Sequence, residues 1–375
     1  MLWEAWLIET RTGQLSAKLG VLSGTWAETA GASEEIKLSV DKAPLRGLDL
    51  AHWLIPWRAG ILITVDGQPL VMGPLTAPPE IDRRAVSMTA GGPRSLLERR
   101  YATAGDYMPG QGADLAESTL SYTGLSLGSI AWRLVQNAMD RRGGSLPIVH
   151  GSPDEVITPG NKRNYQGFDI SNLGTAHLLE LLAGVIGGPQ IRFDARWADD
   201  THRRAEWAMR HGTKVSVDIP QDMVLTVDTA APRGRIAEPT VKTAWTPYAK
   251  IYGTGAGEGS GTLIGIAENT DIMNNLPLIE AVISDTSAED LDALTSTIQA
   301  TLDTCRTLTV QVNTSVDTAE GQHPTLWHVG EVARVRLSDE WWPLPTEMDA
   351  RIVTRKGAIG SSIVDVELQA EVVIA

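Results

Sequence analysis

The feature that most narrows the fold is where two hydrophobic periods fall along the chain. Period two dominates both ends, and helical spacing appears in the middle and in one later segment. Near the N-terminus, Ile36, Leu38 and Val40 alternate with Lys37 and Ser39, the mark of a strand with one buried face. Ile61–Val65 and Leu70–Met72 flank Asp66-Gly67-Gln68-Pro69, which predicts a hairpin turning at Asp-Gly, where glycine takes positive φ at no steric cost. Val86 and Met88 continue the alternation. Residues 101–112, rich in glycine, alanine and polar side chains, then read as a connection. Ile130, Leu134, Val135, Ala138 and Met139 share a helical face, with Ser126 or Ser129 as N-cap and Gly143-Gly144 as the stop. A second helix, mostly buried, is predicted from Thr175 to Ile186, after a polar loop over 151–167. A long hairpin follows: Ile191, Phe193, Ala195 and Trp197 share one face, Ala205, Trp207 and Met209 point inward from the other strand, and Asp199-Asp200-Thr201 make the turn.

From Lys242 the pattern is again that of strands, interrupted by one helix. That helix starts at Ser287-Ala288-Glu289-Asp290, a capping-box-like sequence, and carries Leu291, Leu294, Ile298 and Leu302 along one stripe. Ala333, Val335 and Leu337, then Val364, Val366 and Leu368, alternate with charged residues toward the C-terminus. The expected class is mixed, β-rich α+β. The expected division is a β-barrel domain over 1–104, an α/β insertion over 105–232, a second β-barrel from 233–270 with 306–375, and a helical insertion over 271–305.

Composition removes several function classes. With 375 residues, 42% of them hydrophobic and 21% charged, the chain has enough apolar surface for more than one packed core. A net charge of −14 argues against nucleic-acid binding, which needs a basic stripe to displace counterions. The one basic cluster, Arg94 to Arg100, reads as a solvated loop. Cys305 is the single cysteine, so no intrachain disulfide is available and packing must hold the fold, as in a chain made in a reducing cytosol. Acidic residues interrupt the first nine positions and no basic region precedes them, unlike a secretory signal, and no apolar run nears the roughly 20 residues of a membrane span.

Several motifs invite a chemical reading and each has a plainer one. Gly124-Leu125-Ser126-Leu127-Gly128 matches the nucleophile elbow G-x-S-x-G, but the preceding residues are too polar for a central strand, so helix capping by Ser126 is expected. Gly253, Gly255 and Gly257 imitate a nucleotide-binding glycine run, yet Thr262–Ile266 reads as a strand where a dinucleotide fingerprint needs a helix. Asp199, Asp200 and His202 fall within one hairpin turn, and His323 and His328 lack neighbouring ligands in sequence, so no metal or cofactor is expected. Glu289, Asp290 and Asp292 suit the first turn of a helix, where the macrodipole favours acids. Trp341-Trp342-Pro343 offers either an aromatic platform for sugars or apolar surface for a subunit interface, and interface burial is the preferred reading.

Longer phrases carry a family resemblance. Tyr252 to Gly261, Leu278 to Asp285, the helix from Ala288, and Leu326 to Val335 follow in the order seen in tail-tip hub proteins of actinobacterial siphophages, with Glu331 where the family's phrase has aspartate. Trp53 to Ile61, the Asp66-Gly67 hairpin and Leu70 to Pro74 resemble that family's first barrel. The resemblance implies a structural minor tail protein without enzymatic activity: two tail-tube-like barrels per chain, three chains forming a pseudo-sixfold ring that caps the tail tube. It implies as partners the distal tail protein, the tail tube protein, the tape measure protein and tail fibre or tip proteins, and a location in the virion tail tip after synthesis in the host bacterial cytoplasm. Genomic DNA would pass without specific binding, and an acidic lumen would keep phosphates from sticking. Candidate interface residues are Trp341, Trp342, Gly255, Gly257 and Gly259. A receptor- or glycan-binding tail protein and a cell-wall hydrolase using Ser126 are the alternatives.

Overall fold

A computed structural model describes residues 1–49, 53–158, 160–185, 187–228, 239–285, 288, 290–319 and 321–373. Strand outweighs helix, 42% against 19%, which makes the fold β-rich α+β. The two ends of the chain meet in one ten-stranded sheet. Its C-terminal side runs Thr240–Ala244, Thr307–Asp317, Ile363–Val373 and Glu347–Ala358, and its N-terminal side runs Val21–Thr29, Glu35–Asp41, Ala85–Gly91 and Glu80–Ile81. Val332–Arg336 branches off, pairing antiparallel with Glu347–Ala358 and parallel with Leu225–Asp228. The junction between the halves is antiparallel and sets Arg355 opposite Glu28 and Gly357 opposite Trp26.

A four-stranded sheet, in the order Leu15–Leu19, Trp3–Glu9, Ala59–Val65, Gln68–Pro74, packs against the large one. The Asp66-Gly67 hairpin forms as predicted, with φ of 48° and 78° at the two turn residues. Its strand Ala59–Val65 is buried at every position. Ile61, Ile63 and Val65 join the core shared with the large sheet, whereas Leu62 joins Ile8 and Met72 in a second core beneath the helices. That is why this segment is an unbroken apolar run: a strand covered on both faces has no polar side to show. The sheets approach closely at two glycines, where a Cβ on Gly73 would fall 1.5 Å from the carbonyl oxygen of Gly91.

The second core belongs to the central module. The helix Leu127–Met139 is capped by Ser126, and the helix Thr175–Ala183 stops three residues short of Ile186, which lies outside the described residues. The hairpin Ile191–Trp197 and Ala205–His211 forms as predicted, with Ile148–His150 added in parallel. The stretch 151–167 is not wholly loop: Asn161–Gln166 pairs with Thr119–Leu125. Its sequence, Asn-Lys-Arg-Asn-Tyr-Gln, gives no apolar alternation because the half-buried face carries Asn161 and Arg163 beside Tyr165, which lies edge-on to Tyr122 at 6.3 Å. The basic cluster is also not a solvated loop. Pro93–Leu97 is a buried helical turn, Arg94 is buried, and Arg100 donates to the carbonyls of Ala138 and Gly144.

The third unit is a small sheet, Ile264–Glu268, Lys250–Thr254, Glu280–Ser284, covered on one side by the helix Leu291–Thr304. Asp290 caps that helix, while Ser287 and Glu289 of the predicted box lie outside the described residues. Leu294, Ile298 and Leu302 are buried as expected, but Leu291 is exposed.

Candidate assembly surface and a buried charged seam

The glycine-rich segment is a hairpin connection. Gly253 and Gly265 are register partners beneath the helix, and a Cβ on Gly253 would lie 2.7 Å from Ile298 Cγ2. Two side chains reduced to hydrogen let the helix sit directly on the strands. Gly255 is likewise buried, its amide donating to the Leu263 carbonyl at 2.8 Å. Gly257, at φ 118°, and Gly259, at φ 57°, are exposed and adopt backbone conformations that favour glycine.

The opposite face of this sheet has no cover among the described residues. Tyr252 stands between its register partners Ile266 and Val282, with Ile264 two pairs further along. Ile264, Ile266 and Val282 are 57%, 52% and 68% exposed. A Lys250–Glu268 ion pair at 2.6 Å and the Tyr252 hydroxyl donating to Glu280 at 2.8 Å rim the patch. The two tryptophans lie elsewhere, between Val332–Arg336 and Glu347–Ala358. Trp341 packs on the main core, while Trp342 is 84% exposed.

Ser126 is buried and engaged in capping: its Oγ accepts from the Ser129 amide and donates to Ser129 Oγ, both at 3.2 Å. The strand before it belongs to a two-stranded sheet with alternate positions exposed, unlike the central strand that an elbow requires. Asp199 accepts from the Thr201 amide and hydroxyl, bonds that hold its carboxyl below the usual range. His202 stacks on Trp197 at 4.8 Å. Among the described residues no cluster of three metal-ligating side chains forms.

What the sequence did not disclose is a charged seam between the central hairpin and the large sheet. The period-two reading puts Arg192 and Asp194 opposite the apolar face of their strand, and the structure buries that side too. Arg192 pairs with Asp194 at 2.6 Å and donates to Glu331 at 2.7 Å, and Arg210 approaches Asp194 at 3.1 Å. Burial raises the Glu331 carboxyl despite Arg192, and pushes His328 well below its ordinary value despite Asp194. Burial would raise Asp194 as well, but amid His328, Arg192 and Arg210 it sits below the usual carboxylate range. Further in, Arg355 is fully buried. It donates to Glu28 and to the carbonyls of Pro324 and Trp327, and its guanidinium lies between the rings of Trp26 and Trp327 at 5.4 and 5.3 Å. These partners stand up to 327 residues apart, so no local spacing could signal them.

No family model matches the chain, and neither does any curated protein. Solved structures do match, over nearly the whole of each chain. A tail protein from Neisseria meningitidis MC58 is 11% identical, covering 98% of this chain and 97% of that one at a TM-score of 0.55. The 43 kDa tail protein of prophage MuSo2 from Shewanella oneidensis gives 11% and 0.55, covering 98% of both. The fold is that of phage tail proteins. A third, prophage tail protein gp18 from Listeria monocytogenes EGD-e, is 12% identical with a TM-score of 0.50, covering 98% of this chain and 94% of that one. At such identities the likeness is one of architecture, and the residues of the seam and of the open sheet face belong to this chain's own reading.

Proposed function

We propose that the chain is a structural baseplate hub, or minor tail protein, at the tip of a long non-contractile phage tail. The observation that carries this reading is the shared fold with tail proteins end to end over both chains. In this reading three copies form a ring that caps the tail tube and joins the distal tail protein to tip or fibre proteins. The tape measure protein ends near the lumen. Residues 1–104 together with 233–270 and 306–375 supply the ring, and 105–232 and 271–305 are the inserted parts. The work done is mechanical, which suits a buried ionic seam that ties the two ends of the chain and the central module into one body. The open face of the small sheet and the exposed Trp342 are apolar surface of the kind that assembly covers. A charge of −14 per copy suits a lumen that DNA must leave without sticking.

The test is negative-stain microscopy of the purified protein beside labelled virions. Threefold rings and label at the tail tip are expected. Label along the tube or at the head, or copies assembled with another symmetry, refutes the reading.

A further inference from the structure

The bare face of the small sheet is a grid of three rows. Glu268, Lys250 and Glu280 form the first, Ile266, Tyr252 and Val282 the second, and Ile264, Thr254 and Ser284 the third. The polar groups at both ends are engaged within the sheet: Lys250 with Glu268, Glu280 with the Tyr252 hydroxyl, and Thr254 with Ser284 at 2.8 Å. Between them the middle row and Ile264 are left as apolar surface, each aliphatic side chain more than half exposed. The other face of the same sheet packs Ile251 and Ala267 on Ile298 and Leu302 of the helix Leu291–Thr304. One helix thus covers one face, and the opposite face turns a second apolar row to solvent. Apolar patches rimmed by polar groups mark sites where another protein docks.

Charge and size decide what fits there. Over residues 245–306 nine acids stand against two bases, a net of −7 and half of the chain's −14. Acids bracket the apolar row: Glu268 and Glu280 beyond one end, and the exposed Glu258, in the connection between Lys250–Thr254 and Ile264–Glu268, beyond the other. Lys250, the one base in the grid, is already held by Glu268 at 2.6 Å. A second copy of the chain would set −7 against −7 across this face. It would also find too little to hold. Strands about 4.8 Å apart, with same-face side chains about 6.8 Å apart along each, make a footprint of roughly 10 Å by 14 Å. That is far below the roughly 800 Å2 per partner of a stable interface between folded proteins. An anionic lipid surface would meet the same acids. A single α-helix, about 10 Å across and rising about 1.5 Å per residue, covers the footprint with about nine residues.

We propose that this face receives a basic amphipathic helix of another protein. Its apolar stripe, at i, i+3, i+4 and i+7, lies along Ile264, Ile266, Tyr252 and Val282, and lysine or arginine on its flanks meets Glu258, Glu268 and Glu280. The proposal goes beyond the hub reading and does not depend on it. Helix binding is read on the purified chain, whereas the hub is read from rings and virion label, so either can fail alone.

The experiment is calorimetric titration of the full chain with three amidated peptides of about 14 residues, long enough to form the stripe. One has leucine at the stripe spacing and lysine or alanine elsewhere. The second has glutamate in place of lysine, and the third has the first one's composition with the leucine spacing scrambled. The lysine peptide should saturate with a Kd below about 100 µM at about 50 mM salt, and the other two should bind at least about tenfold more weakly. Raising the salt to about 500 mM should weaken the lysine peptide several-fold, because the acids that draw it are exposed. Ile266→Thr combined with Val282→Thr should weaken it by about tenfold or more at an unchanged melting temperature, since both positions are exposed and threonine keeps the β-branched shape. Glu268→Gln combined with Glu280→Gln should weaken it by about threefold and blunt the salt dependence. No saturable binding, equal binding of the glutamate or scrambled peptide, or full binding by a folded Ile266→Thr/Val282→Thr variant overturns the proposal. So does self-association of the chain, measured by sedimentation, that this same double variant abolishes, because the occupant would then be a second copy.

Discussion

Replacing Arg355 by methionine tests whether the charged seam holds the two ends of the chain together. The guanidinium is 0% exposed and meets the carboxylate of Glu28, two backbone carbonyls and two indole faces. Methionine fills much of the volume but leaves Glu28 a buried charge without its partner, a loss that costs about 3–5 kcal/mol in comparable sites. The carbonyls of Pro324 and Trp327 also lose their donor, worth about 1 kcal/mol or more each. Flanking cation–π contacts add about 1 kcal/mol. These terms overlap, so the expected cost is about 5 kcal/mol, at the upper end for a single substitution and comparable to the whole stability of many domains. Glu28→Gln in the Arg355→Met background removes the stranded charge. The double variant should therefore recover about 2–3 kcal/mol relative to the sum of the single changes. Urea unfolding followed by tryptophan fluorescence measures all three, and Trp26 and Trp327 lie beside the perturbation. A loss under about 1 kcal/mol for Arg355→Met, or strict additivity in the cycle, would mean that the pair is not what fastens the strands Val21–Thr29 and Glu347–Ala358.

Other perturbations test separate parts of the argument. Glu34 keeps its proton to about pH 8 when folded and loses it near 4.5 when unfolded, so its contribution is intact below pH 4.5 and is lost as pH rises to 8. At about 1.4 kcal/mol per pH unit the loss is at most about 5 kcal/mol, so Glu34→Gln should gain stability relative to the parent between pH 5 and 8. A difference that stays flat with pH refutes this. His150 and His211, with Nε2 atoms 2.9 Å apart, are held below the ordinary histidine value, by burial first and, for His150, by its neighbour. The unfolded chain therefore takes up protons first as pH falls below about 6.5, and His211→Gln should flatten the acid loss of stability by about 1 kcal/mol per pH unit. Gly73→Ala should cost about 3 kcal/mol by chemical denaturation, because its Cβ would meet the Gly91 backbone and not a yielding side chain. Trp342→Ala should leave the melting temperature unchanged and weaken ring formation by ultracentrifugation; unaltered assembly would exclude Trp342 from the subunit contact, and lost cell-wall binding would favour glycan recognition.

How much of this was legible in the sequence follows from the range of the signals. The period-two segments and the helical faces at 127–139 and 291–304 are local, set by which side of one element is buried, and they were readable from the order of residues alone. The same information explains how 11% identity can accompany one architecture over 98% of the chain: a strand needs alternation more than it needs any given residue. Asn161–Gln166 escaped because its partner strand, not its own apolar content, makes it a strand. The Arg94 cluster was misread for a related reason. Arginine next to arginine looks solvated until a carbonyl at Ile191 and the Phe193 ring arrive from a hundred residues away. The seam is the extreme case. Arg192, Arg355 and Glu28 sit in strands and Glu331 just before one, and burying any of them alone would cost several kcal/mol. Only the closed fold supplies the opposite charge. Charged residues in the polar phase of a strand therefore mark solvent only where that strand faces water on one side. In a chain whose ends share a sheet and whose middle packs upon it, they mark the places where three separately legible parts are fastened to one another.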